Sequence, residues 1–123
     1  QLGFPMIVLF ENTNPGISCL ETCRTLIDPD DTMIIVILDD DPTSKQSKKS
    51  FLSKWSSEYH LNISIQCYET RTLSRFIHNI KGLKKGLFLL PPIQNLSNEQ
   101  MVNLFLERIS LPILLIRTPL KSE

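Results

Sequence analysis

The chain has 123 residues, 41% of them hydrophobic, with 13 basic side chains against 13 acidic ones. That is enough for one domain with its own core, and the balanced charge lacks the basic surplus on which nucleic-acid affinity depends, so no nucleic-acid partner is expected. The longest apolar runs, such as Met33–Leu38 and Phe88–Leu90, are far too short to cross a bilayer, so membrane insertion of this segment is not expected either.

Met6 to Phe10 is a continuous apolar run stopped by the turn formers of Glu11–Gly16, which predicts a first buried strand. Asn14 can cap a helix with Pro15 at its first position, and Cys19, Leu20, Cys23, Leu26 and Ile27 recur at helical spacing until Asp28-Pro29. Met33 to Leu38 predicts a second buried strand, closed by Asp39-Asp40-Asp41-Pro42. Thr43 to Ser50 is polar enough to be a mobile loop leading into a second helix. Phe51, Leu52, Trp55 and Tyr59 line one stripe of that helix, with Lys48, Lys49, Lys54 and Glu58 on the other face.

Ile63, Ile65 and Cys67 alternate with Ser64, Gln66 and Tyr68, as in a strand wet on one face and placed at a sheet edge. Leu73, Phe76, Ile77 and Ile80 predict a third helix ended by Gly82, and Leu87 to Leu90 a fourth strand before Pro91-Pro92. Ser97 with Gln100 has capping-box spacing for a fourth helix carrying Met101, Leu104, Phe105 and Ile109, and Ile113 to Ile116 is the fifth strand. Strict alternation implies right-handed crossovers, a parallel sheet covered on both faces, and a flavodoxin-like three-layer α/β/α sandwich in a single domain, 1–123.

Ligands of open parallel sheets bind beyond the carboxyl ends of the strands. Those ends offer Glu11-Asn12, Asp39-Asp40-Asp41, Glu69-Thr70, Pro91–Gln94 and Arg117-Thr118, of which Glu11, Asn12, Asp39, Asp40 and Gln94 are the candidate ligand-binding residues. The acidic rim would repel bare phosphate and suit a hard cation such as Mg²⁺; the competing reading is that Asp39–Asp41 cap a helix and solvate a loop. No Walker loop or GxGxxG pattern exists, and Gly16 reads as a turn residue.

Cys19 and Cys23, four apart, have the spacing of two metal ligands, with Cys67, His60 or His78 to complete a set, yet both lie on the apolar stripe, where a small residue lets helix and sheet approach. Core packing is expected, with no metal or cofactor. An odd number of cysteines argues against a secreted disulfide framework and for a reducing, cytoplasmic setting. Neither histidine has a nucleophile at a recognisable spacing, so no catalytic residue is expected and the protein reads as a non-enzyme. Leu111 to Ile116 is free of charge, and in a sheet of order 3-2-1-4-5 it lies at an edge. Pairing it with its copy through Pro112, Ile113, Leu114, Leu115 and Ile116 would give a homodimer. Opening on Gln1 without a signal pattern, the chain reads as a segment of a longer protein.

Met6–Phe10, the βαβαβαβαβ order and the proline-led ending Leu111–Arg117 resemble a universal stress protein domain over nearly the whole chain. The resemblance implies a 3-2-1-4-5 sheet, dimerisation through the fifth strand and, in one branch, ATP or another nucleotide held between the first and fourth strands. That branch has an Asp after the first strand and a glycine-rich stretch after the fourth; here stand Glu11-Asn12 and the glycine-free Leu90–Ser97. Glu11–Gly16 also resembles the Asn-Pro turn of the universal-stress-like tails of bacterial cation/proton antiporters. This implies a regulatory domain, the cytosolic tail of an inner-membrane protein, partnered by the membrane domain of the same polypeptide. A stand-alone adenine-nucleotide-binding stress protein is the alternative. Ile34–Pro42 resembles the acidic opening of a response-regulator receiver, but no carboxylate stands at Leu89-Leu90-Pro91, where the phosphoacceptor would fall, which leaves only a degenerate receiver.

Overall fold

A computed structural model describes residues 6–28, 30–69, 72–81, 86–90 and 113–115. The elements are β1 (Met6–Phe10), α1 (Asn14–Leu26), β2 (Met33–Leu38), α2 (Pro42–Glu58), β3 (Ile63–Tyr68), α3 (Leu73–Lys81), β4 (Leu87–Leu90) and β5 (Ile113–Leu115). The fold is α/β with a parallel sheet in which β3, β2, β1 and β4 lie side by side. β1 is central, and all five of its residues are buried, as an unbroken MIVLF run requires of a strand covered on both faces. The backbone of β5 pairs in parallel with β4, Phe88 opposite Ile113 and Leu90 opposite Leu115. The expected fourth helix lies outside the described residues. No helix among the described residues is long and apolar enough to cross a membrane.

Strand alternation sorts the core into two faces. Met6, Val8, Phe10, Met33, Ile35, Ile37 and Leu89 pack with Cys19, Leu20, Cys23 and Ile27 of α1 and Leu52 and Trp55 of α2. Ile7, in register with Ile34 and Phe88, points to the opposite face, where Phe76 of α3 meets Phe88 edge-on at 5.8 Å and Tyr68 at 5.3 Å between ring centroids. β3 is half-buried along its whole length, in keeping with the edge position read from its alternating pattern.

Two helix starts differ from expectation. Thr13, with extended backbone, caps α1 and accepts the Gly16 amide at 3.2 Å, so Asn14 is already the first helical residue and Pro15 the second. The second difference is larger: Thr43–Ser50 is no loop but the first half of α2. Asp41 is its N-cap, accepting the Ser44 amide at 3.1 Å, and Pro42 supplies the preset φ of a first helical position. A polar composition is compatible with helix once the first turn is capped, and here Asp41 caps it while Lys48 finds charged partners at the strand ends.

Candidate functional site

β1 and β2 run parallel with Phe10 opposite Ile37, so Glu11 and Asp39 emerge from neighbouring strands at the same end of the sheet. Lys48 reaches them from the second turn of α2. Its Nζ lies 2.8 Å from Glu11 Oε1 and 3.0 Å from Asp39 Oδ2, and only 10% of the Lys48 side chain is exposed. Lys48 therefore does not belong to the solvent face assigned to it from the helical pattern; it is buried, four residues before Leu52 and on the same stripe. The stem packs while the ammonium finds charge at the strand ends, which satisfies both halves of an amphipathic side chain.

Asp39 is held from several sides. Its Oδ1 accepts the Asp41 amide at 2.9 Å, and its Oδ2 accepts the Ser44 hydroxyl as well as the Lys48 ammonium. Burial alone would raise its pKa, but the bonds from Ser44, the Asp41 amide and Lys48 outweigh it and hold the carboxyl at about 2. Burial likewise opposes the charge on Lys48, yet its bonds to Glu11 and Asp39 prevail and move its pKa above the usual value. Both Asp39 and Lys48 are thus charged throughout the physiological range.

The position of Glu11 depends on a close approach behind it. A Cβ placed on Gly16 would stand 1.7 Å from the Glu11 carbonyl oxygen, so the first turn of α1 can lie against the Glu11 backbone only with glycine there. Gly16 is more than the turn residue its neighbours suggested.

Of the residues expected to bind a ligand, Glu11 and Asp39 come together, Asn12 and Asp40 lie exposed beside them, and Gln94 lies outside the described residues. Pro112 and Ile116 of the expected dimer edge also lie outside, while Ile113, Leu114 and Leu115 are placed in β5 as backbone. The expectation of a cation-attracting rim is modified, because the Lys48 ammonium already sits between the two carboxylates. Among the described residues no group of three or more His, Cys, Asp and Glu side chains converges in a way that would hold a metal ion. Asp41 performs the capping role that was the competing reading, and Asp39 holds the Asp41 amide just before the cap.

Cys19 and Cys23 are fully buried, and burial pushes both thiols up to about 12, with the neighbouring Cys23 adding to the effect at Cys19. They are core residues and poor nucleophiles. His60 and His78 are exposed. Sequence reasoning missed one further cluster, where Glu21 of α1 accepts Trp55 Nε1 of α2 at 3.1 Å and Arg24 Nε at 2.9 Å. The Arg24 guanidinium also lies 4.3 Å from the Tyr59 ring centroid, tying the two helices together.

Comparison with protein-family models, with curated proteins and with solved structures finds no match.

Proposed function

We propose that this chain is a non-catalytic regulatory or interaction domain of universal-stress type, with a five-stranded parallel sheet of order 3-2-1-4-5 in a three-layer sandwich. The observation that carries the reading is the Lys48 ammonium between Glu11 and Asp39. Folds of this class take up ligands where helix N-termini and loop amides converge beyond the strand ends. Here the chain's own cation occupies that place and engages both carboxylates, leaving them ill suited to act as a general base or to hold Mg²⁺. The glycine-free segment after β4 weighs against a nucleotide in the same way.

Within this reading the domain serves as the cytosolic tail of a monovalent cation/proton antiporter, which the resemblance of Glu11–Gly16 to the Asn-Pro turn of such tails supports. Its action is linkage: two arrangements of the tail differ in their fit to the membrane domain, and whatever favours one of them shifts the transporter. The outer position of β5 beside β4 supports a homodimer through Pro112–Ile116, since an apolar edge strand is covered most simply by its own copy.

Calorimetric titration with ATP and Mg²⁺ tests the reading. No binding is expected at concentrations of about 100 μM, whereas micromolar affinity would favour the stand-alone nucleotide-binding alternative. The antiporter assignment is tested by the coding sequence upstream of Gln1, which should contain roughly ten apolar stretches of about twenty residues.

A further inference from the structure

Beside β3 and α2 lies a groove of about 710 Å³, lined by Gln46, Lys49, Ser50 and Ser53 from α2 and by Ile65 and Cys67 from β3. The four helix residues follow one another at helical spacing and the two strand residues share one face, so the groove runs between a helix and the edge of the sheet. The edge itself has a definite hydrogen-bonding state. The β2–β3 ladder is bracketed by Met33 N–H donating to the Asn62 carbonyl at 2.9 Å and Asp39 N–H donating to the Tyr68 carbonyl at 3.0 Å. With Met33 opposite Ile63 and Leu38 opposite Tyr68, the peptide groups of Ser64 and Gln66 also turn toward β2. Those of Ile63, Ile65 and Cys67 turn outward, and no further strand pairs with β3 among the described residues.

The geometry points to β3 as a docking edge for an acidic, extended peptide segment of a partner protein, which adds a strand there and sends alternate side chains into the groove. Main-chain bonds to Ile63, Ile65 and Cys67 supply affinity, and the helix wall supplies selection. Charge selects the occupant. Among the described residues Lys49 is the one charged residue lining the groove, and α2 carries Lys45, Lys49 and Lys54 against Glu58 once Lys48 is engaged inside. A second copy of this chain fits less well: its β3, ISIQCY, has no acid, and two-fold pairing would bring two lysine-rich α2 helices together. This edge lies across the sheet from β5, and the inference does not rest on the proposed antiporter role.

The test uses the protein with a blocked hexapeptide of alternating Glu and Val, its Lys-for-Glu counterpart, and an all-N-methylated Glu/Val version, read by amide hydrogen exchange. The acidic peptide should slow exchange of the Ile63, Ile65 and Cys67 amides about tenfold at saturation, the basic and N-methylated peptides should not, and Lys49→Glu should reverse the charge preference. Unchanged exchange at those three amides with the acidic peptide overturns the inference, and so does equal protection by both charges. Protection that rises with protein concentration alone overturns it in favour of a second copy.

Discussion

Lys48 Nζ stands 2.8 Å from Glu11 Oε1, joining the first buried position of α2 to the residue that follows β1 across 37 residues of sequence. Asp39 closes the cluster at 3.0 Å from the same nitrogen. Three elements are pinned at the one place where a fold of this class is open to ligands.

Lys48→Met keeps the packed stem and removes the charge, leaving two carboxylates facing each other in a half-buried site. It should destabilise the domain by about 2 kcal/mol, below the ~3–5 kcal/mol of stranding a fully buried charge, because Glu11 and Asp39 retain some solvent. Denaturant unfolding reads this directly. In a cycle with Glu11→Gln the two changes should be less than additive, and simple additivity would mean that the pair contributes nothing.

Acid should weaken the same cluster. The folded Asp39 carboxyl sits at about 2 against an ordinary 3.8, so its contribution is complete at pH values above about 4 and drains away as pH falls toward 2. Allowing for solvent screening, it is worth about 1 kcal/mol. The stability gap between the parent and Asp39→Asn, measured in urea, should be present at neutral pH and close at the acid end. Lys48 behaves oppositely: its raised pKa gives stability that is complete below its ordinary value of 10.5 and lost as pH rises through the higher folded value.

Gly16→Ala should cost about 2 kcal/mol or more, far above the gain that alanine ordinarily brings to a helix, because the new methyl meets the Glu11 carbonyl at 1.7 Å. Circular dichroism melting of Gly16→Ala against the parent reads this, and an unchanged melting temperature would show that the turn tolerates the methyl.

His60→Gly should stabilise the domain by about 0.5–1 kcal/mol. His60 has φ 54, and it follows α2 in a Schellman arrangement in which its N–H donates to the Ser57 carbonyl and Leu61 N–H to the Ser56 carbonyl. Glycine takes that left-handed position without the Cβ clash. A fall in melting temperature would show that the imidazole makes a contact worth more than the strain.

If β5 is a dimer edge, light scattering should give the parent twice the chain mass and Leu114→Lys the mass of one chain, since a charge set into the pairing strand opposes its copy. A monomeric parent, or a variant that stays dimeric, removes that interface.

The strands were legible in the residues, because unbroken MIVLF and MIIVIL runs can be satisfied only by burial on both faces, and their alternation with helical patterns pointed to a parallel sheet. It also showed β3 at an edge through the alternation of Ile63, Ile65 and Cys67 with polar neighbours. What it did not disclose was the partner of Lys48. A lysine in a run of polar residues reads as solvated, although its spacing of four from Leu52 and seven from Trp55 placed it on the inner stripe, and that spacing was the available signal. Packing settled the matter, because whether a charge belongs inside depends on opposite charges brought to it from distant strands, and Glu11 and Asp39 meet Lys48 only when β1, β2 and α2 have come together.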